Sequence, residues 1–175
     1  MPELAVNLQP TLTGPTLLLR PLLPADFDAL YAVARDPLIW EQHPDPLRWQ
    51  PLVFEKFFNN ALASQGALLI SERASGKVVG SSRYYDWNPQ DASIAIGFTF
   101  LARSHWGGKA NPELKQLMLD HAFTFARTAW FHVGVQNFRS RRAMEKIGGR
   151  YSHVAPFVLN GVELEHAYYR IDRPG

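Results

Sequence analysis

The stretch Arg103-Ser104-His105-Trp106-Gly107-Gly108-Lys109-Ala110-Asn111 sets two adjacent glycines among basic side chains, directly ahead of a helical pattern. Glycine tolerates backbone conformations closed to other residues, so such a turn can fold sharply and bring its amides up to a ligand. The first amides of a helix lack intrahelical partners and carry partial positive charge, which favours an anion there. Arg103, His105 and Lys109 add charge of the same sign. The combination suits a pyrophosphate, although a plain glycine turn between strand and helix fits the same residues equally well. Two common phosphate loops are excluded. Gly108-Lys109 is followed by alanine with no upstream glycine in P-loop register, and G-x-G-x-x-G is absent.

A second group, Gln136-Asn137-Phe138-Arg139-Ser140, also follows an apolar run and opens a helical pattern. Asn137 either caps that helix or hydrogen-bonds an amide-containing ligand. Arg139, Arg141 and Arg142 either contact a phosphate or form a solvated basic face. There is no cysteine, so disulfides, thiolate metal sites and a cysteine nucleophile are excluded. The histidines are scattered without ligand spacing, and no metal is expected.

These residues need elements to position them. Over residues 91–101, Ile94, Ile96, Phe98 and Phe100 alternate on one face and predict a strand running into the glycine turn. Asn111 suits the N-cap and Pro112 the first position of the next helix, with Leu114, Leu117, Met118, His121, Ala122 and Phe125 as its buried stripe. A short strand over 131–135 feeds the helix that Asn137 opens, which runs to about Ile147 and stops at Gly148-Gly149. Upstream, a strand over 16–20 precedes two helices, one ending near Ala34 and one over 51–64, joined by the polar and aromatic loop IWEQHPDPLRW. Strands over 67–72 and 77–85 meet at Ala74-Ser75-Gly76, and two last strands, 150–159 and 162–171, flank the hairpin signal Asn160-Gly161. The order predicts an α/β (α+β) fold, a mostly antiparallel sheet with helices on both faces.

Length and composition agree with one domain over residues 1–175, the first twelve forming a loose arm. Apolar residues make up 46% and charged residues 19%, enough for a buried core. A formal charge of +2 gives little support for nucleic-acid binding. No apolar run reaches membrane-spanning length, and MPELAVNLQP does not read as a secretory leader, so the expected location is the cytoplasm.

The ordered motifs resemble the GNAT superfamily of N-acetyltransferases over roughly residues 15–172. Its acetyl-CoA motif, Q/R-x-x-G-x-G/A, is approximated by Arg103-Ser-His-Trp-Gly-Gly-Lys-Ala, with the glycines one place late. Asn137-Phe-Arg-Ser140-Arg-Arg-Ala-Met-Glu-Lys-Ile-Gly148 and the opening Leu17-Leu-Leu-Arg20-Pro21-Leu are similar to the RimJ/RimL-type branch. The resemblance implies a sheet whose fourth and fifth strands splay apart, with acetyl-CoA bound in the gap. Phe100 and Leu101 would then line the pantetheine arm. Arg103, Trp106, Gly107, Gly108, Lys109 and Ala110 would hold the pyrophosphate, and Asn137 and Ser140 would sit near the thioester.

The activity implied is direct attack of an amine, from a protein N-terminus or a small molecule, on the thioester. A backbone N–H near Phe100 would stabilise the oxyanion, and Ser140 would act as general acid. Many relatives carry a glutamate base where this chain has Ala95, which turns attention to Glu41 and His43 in the loop between the first helices. Tyr84, Tyr85, Asp86 and Trp87 would shape the acceptor pocket, and the apolar C-terminal hairpin is a candidate homodimer interface. Ala95 also motivates a rival reading, a CoA-binding module of the same fold without catalysis.

Overall fold

Phe54, Phe57, Phe58 and Ala61 recur at helical spacing and bury one face of a helix over Pro51–Ser64 (α2). Gln65, in the left-handed conformation at φ 55°, ends it. The computed structural model describes residues 5–159 and 161–175. In them α2 follows a helix over Phe27–Ala34 (α1), and the later helices span Ala110–Ala122 (α3) and Phe138–Lys146 (α4). The strands are β1 (Leu12–Thr13), β2 (Leu17–Pro21), β3 (Ala67–Glu72), β4 (Val78–Asn88), β5 (Ser93–Leu101), β6 (Thr128–Gly134), β7 (Arg150–Leu159) and β8 (Val162–Asp172).

They form one sheet in the order β1-β2-β3-β4-β5-β6-β8-β7. Every neighbouring pair is antiparallel except β5 and β6. Both faces are covered, which is why β3 reads Ala-Leu-Leu-Ile without polar alternation. Leu68 and Ile70 join the core beneath α3 with Leu114, Met118 and Phe131, while Ala67 and Leu69 join α1 and α2 with Leu30, Phe54 and Phe58. The mostly antiparallel sheet with helices on both faces is the architecture expected from the sequence.

The parallel contact positions the site. β5 and β6 pair only at Ser93–Thr128, Ile94–Ala129 and Ala95–Trp130, and beyond that point they separate. β6 stays with β8 along its whole length, and β5 stays with β4 as far as Leu101. A bulge explains the divergence. Opposite β4 the register shifts between Ser81 and Arg83, and Phe98 takes φ 51°. An inserted residue bends a strand and raises its local twist. These are the fourth and fifth strands expected to splay, one higher in number here because β1 precedes them.

The bulge also corrects the expected alternation. Ile94 and Ile96 face the α3 core as predicted, but Phe98 and Phe100 pack with the α1–α2 cluster on the opposite face. A strict two-residue period cannot survive an inserted residue. Two further boundaries differ. α3 begins at Ala110 with Lys109 at its N-cap, so Asn111 and Pro112 lie inside the first turn, where a missing proline N–H costs nothing. The arm expected to be loose over 1–12 is tied down from Asn7, whose carbonyl meets His121 Nε2 at 2.7 Å, while Gln9 Nε2 donates to the Ala67 carbonyl at 3.0 Å. Asn160 of the expected hairpin turn lies outside the described residues; Gly161 beside it has φ 75°.

Candidate active site

The splay opens into a cavity of about 210 Å³ bounded on one side by β5 from Ile96 to Leu101 and on the other by β6 from Phe131 to Gly134. Because the facing edges of both strands lose their ladder partners there, their amides and carbonyls are available to an extended ligand. The cavity runs from the glycine turn and α3 to a group of rings on the α1–α2 face.

At the glycine end, Gly107 has φ 71°, a backbone conformation that disfavours any side chain. A Cβ built on Gly107 or on Gly108 would meet no atom within 4 Å, so the turn is open. Trp106 Nε1 donates to the Leu101 carbonyl at 3.0 Å, tying the turn to the end of β5. Arg139 stacks over Trp106 with its guanidinium carbon 3.7 Å from the ring centre and donates to the Ile39 carbonyl at 3.2 Å. Phe100, Leu101, Trp106, Gly107, Asn137 and Ser140 line the cavity. Gly108, Lys109 and Ala110 continue into the first turn of α3 without reaching its wall. Arg103 is exposed and turned aside to an ion pair with Asp36. Asn137 is the N-cap of α4, its side-chain oxygen accepting from the Ser140 amide at 3.4 Å. An open amide cradle at a helix start, continuous with an unpaired strand edge, fits a diphosphate carrying an extended amide-bearing arm.

At the other end the loop between α1 and α2 folds over the splay. Pro44 packs directly onto Gly134, where a Cβ would collide with the proline ring, so glycine at the end of β6 seats the loop. This brings His43 to the cavity wall and leaves Glu41 exposed and outside it. The Asp45 amide donates to His43 Nδ1 at 2.9 Å, so in the neutral ring Nε2 carries the proton. Burial, and then the charges of Arg48 and Arg139, hold His43 well below the ordinary histidine range. His43 therefore presents a hydrogen-bond donor.

Adjacent residues of a strand point to opposite faces, and this divides the four proposed acceptor residues. Tyr85 leans across side-chain-free Gly97 and its hydroxyl lies 2.8 Å from His132 Nδ1 at the cavity wall. Tyr84 faces the other way, donates to the Met118 carbonyl of α3 at 2.5 Å and is buried in that core. The register shift between Tyr85 and Asn88, where Asp86 is exposed at φ 53°, returns Trp87 to Tyr84's face, and Trp87 packs edge-on against Phe125. Tyr84, Asp86 and Trp87 thus stand outside the cavity.

Three wall residues escaped the sequence reading. His132 sits against Tyr168 and Phe157, with ring centres 4.2 and 5.0 Å away. Burial, helped by His166 and His153, lowers it to about 4. Lys115 is buried, donates to Thr99 Oγ1 at 2.7 Å and is lowered to about 7 by burial. Thr99 in turn meets Ser82 Oγ at 2.8 Å. Lys115 lies one turn beyond Asn111 on the face α3 turns to the splay, a position the spacing alone could have flagged. His132 had no such signal, because its face depends on where β6 leaves β5.

Residues 16–150 match the family model described as acetyltransferase (GNAT) domain. No curated protein matches the chain. Among solved structures, a GCN5-related N-acetyltransferase from Brucella melitensis superposes with a TM-score of 0.78 at 22% identity, covering 94% of this chain and 79% of its own. An acetyltransferase from Agrobacterium tumefaciens str. C58 gives 0.72 at 26% identity, covering 94% and 95%. The microcin C7 self-immunity acetyltransferase MccE, solved with acetyl-CoA and AMP, gives 0.76 at 14% identity, covering 97% and 100%.

Proposed function

The chain belongs to the GNAT family of acetyltransferases, which use acetyl-CoA, and from that premise we propose an N-acetyltransferase that acetylates a primary amine by direct attack. The observation that carries this reading is the continuous cavity from the open Gly107 turn, through the β5–β6 splay, to the Tyr85–His132 pair. The capped helix opened by Asn137 and closed at Gly148 supports the RimJ/RimL-type branch, with a small amine or the tip of a polypeptide as acceptor.

When bound, acetyl-CoA supplies an acetyl group activated as a thioester. Gly107, with Gly108 and the first amides of α3 beside the cavity, would hold its diphosphate, and Phe100 and Leu101 would flank the arm. Backbone N–H groups on the freed edge of β5 beyond Ala95 are the donors for developing negative charge. Ser140 holds a proton at Oγ for the departing sulfur, whose low basicity asks little of it. A primary amine with a pKa of about 8–10 must lose a proton to react. The free amine then attacks, and His132, neutral and hydrogen-bonded to Tyr85, takes the second proton, shed by the nitrogen once it has bonded to the thioester carbon, in place of Glu41 or His43. Ala95 opposes Tyr85 across β4–β5, so the position of the family glutamate lies beside this pair.

The test is release of free CoA from acetyl-CoA across a panel of amines and short peptides, with cofactor binding followed in parallel. Binding with turnover on at least one acceptor supports the reading. Binding without turnover on any acceptor would favour the silent module that Ala95 motivates.

A further inference from the structure

Resting on the acetyltransferase reading, unpartnered guanidinium N–H groups behind the acceptor end narrow the substrate. Arg48 and Arg83 are 1% and 7% exposed, yet they flank the same ring, with guanidinium carbons 4.3 and 5.5 Å from the centre of Phe57. Arg48 meets Asp45 at 3.3 Å. Among the described residues Arg48 Nε and both Nε and Nη2 of Arg83 have no hydrogen-bond partner. Ring contacts attract the charge of a guanidinium but do not accept its in-plane N–H bonds, and buried polar groups are nearly always satisfied.

These cations adjoin the cavity. Arg83 is the cross-strand partner of Gly97, which lines it, and stacks 4.0 Å from the ring centre of Phe98, which also lines it. Phe98 holds the left-handed φ of 51°, a strained conformation for a bulky side chain. The positive potential reaches the wall, since Arg48 and Arg139 both disfavour the charged form of His43 there. Among the described residues no aspartate or glutamate lines the cavity to offset that potential. An acceptor that is only a cation meets repulsion in such a site, and an anionic group on the acceptor is drawn to it.

We infer that the acceptor carries a carboxylate in addition to its amine, drawn to the acceptor end by Arg83 and Arg48 behind the Phe98 and Tyr85 rings. Neither guanidinium lines the cavity, so each acts on the carboxylate as a buried positive charge across the rings, and the amine is thereby directed toward the thioester. Polyamines are poor acceptors on this account.

The experiment compares ω-amino acids from glycine to 6-aminohexanoate with the alkylamines that lack their carboxylate, following free CoA. In parallel, calorimetry on the CoA-loaded protein measures binding of propionate, butyrate and inorganic phosphate. The expected result is at least a tenfold higher kcat/KM for one carboxylate-bearing member over its matched amine. Saturable carboxylate binding is also expected, with both effects lost in Arg83→Gln and the charge-dependent part retained in Arg83→Lys. Equal rates within every pair, or a preference that survives Arg83→Gln, would overturn the inference, as would tighter binding of phosphate than of any carboxylate. Arg83→Gln that folds and binds acetyl-CoA with unchanged affinity separates this failure from failure of the acetyltransferase reading. If Arg83→Gln fails to fold, wild-type carboxylate binding decides: none detected counts against the inference.

Discussion

Lys115 and His132 are the residues where burial alters chemistry most directly. Lys115 titrates near 7 in the folded chain against an ordinary 10.5, so the folded state binds fewer protons than the unfolded chain between those values. Its burial is therefore most costly below pH 7, and the cost fades as pH rises through 10.5. Lys115→Met should raise the unfolding free energy at pH 6 by about 1–4 kcal/mol, the range for replacing buried charge by apolar packing. The gain should shrink toward zero at pH 10.5, and urea titrations at the two pH values measure it. His132, lowered to about 4, stays neutral through the working range. The acid limb of kcat/KM should then follow the acceptor's own ammonium. His132→Ala and Tyr85→Phe should each lower kcat by about 10²–10⁴-fold and by less, respectively, with acetyl-CoA affinity unchanged. An inflection near 6.5 that vanishes in His132→Gln would contradict this assignment.

At the scale of elements, the order of strands and helices was legible because hydrophobic period and glycine or proline punctuation are local signals. Pro51 and the Phe54-Phe57-Phe58 spacing mark α2 without help from any other segment. That stripe also predicts its own test. Phe54 is fully buried against Phe27, Tyr31 and Phe100, and Phe54→Ala should destabilise by about 3–5 kcal/mol in chemical denaturation. The glycine turn was equally visible, and its φ of 71° at Gly107 gives Gly107→Ala a strain of about 1–2 kcal/mol together with weaker acetyl-CoA binding. What the sequence hid was the bulge at Phe98. A non-glycine residue at positive φ leaves no compositional mark, so the strict alternation assigned Phe98 and Phe100 to the wrong face. The fate of Tyr84 and Tyr85 was hidden for a related reason. Neighbouring residues on a strand separate to opposite faces, and only the packing of α3 says which tyrosine is taken into the core.

Over the whole molecule, the cofactor end was more legible than the acceptor end. The proposed cofactor contacts fall in two contiguous segments, 100–110 and 137–140, each with its own turn and helix start. The proposed acceptor end draws Tyr85, His132, Phe157 and His166 from four strands through the sheet order β4-β5-β6-β8-β7, and His43 from the loop that Pro44 seats on Gly134. The same hairpin that supplies Phe157 and His166 exposes Val154, Val158 and Val162, and these carry the proposed homodimer. Sedimentation equilibrium should give twice the chain mass for the wild type and the monomer mass for Val158→Lys.

Acetyl transfer in this site requires a diphosphate at the open turn before α3 and an extended arm in the splay. Isothermal titration with acetyl-CoA, run on the wild type and on Gly107→Val, addresses that directly. Saturable binding by the wild type at micromolar to low-millimolar concentration, weakened at least tenfold in a Gly107→Val chain that remains folded, is the predicted result. Absence of heat with the wild type at millimolar acetyl-CoA, or equal affinity in the two chains, would contradict the account.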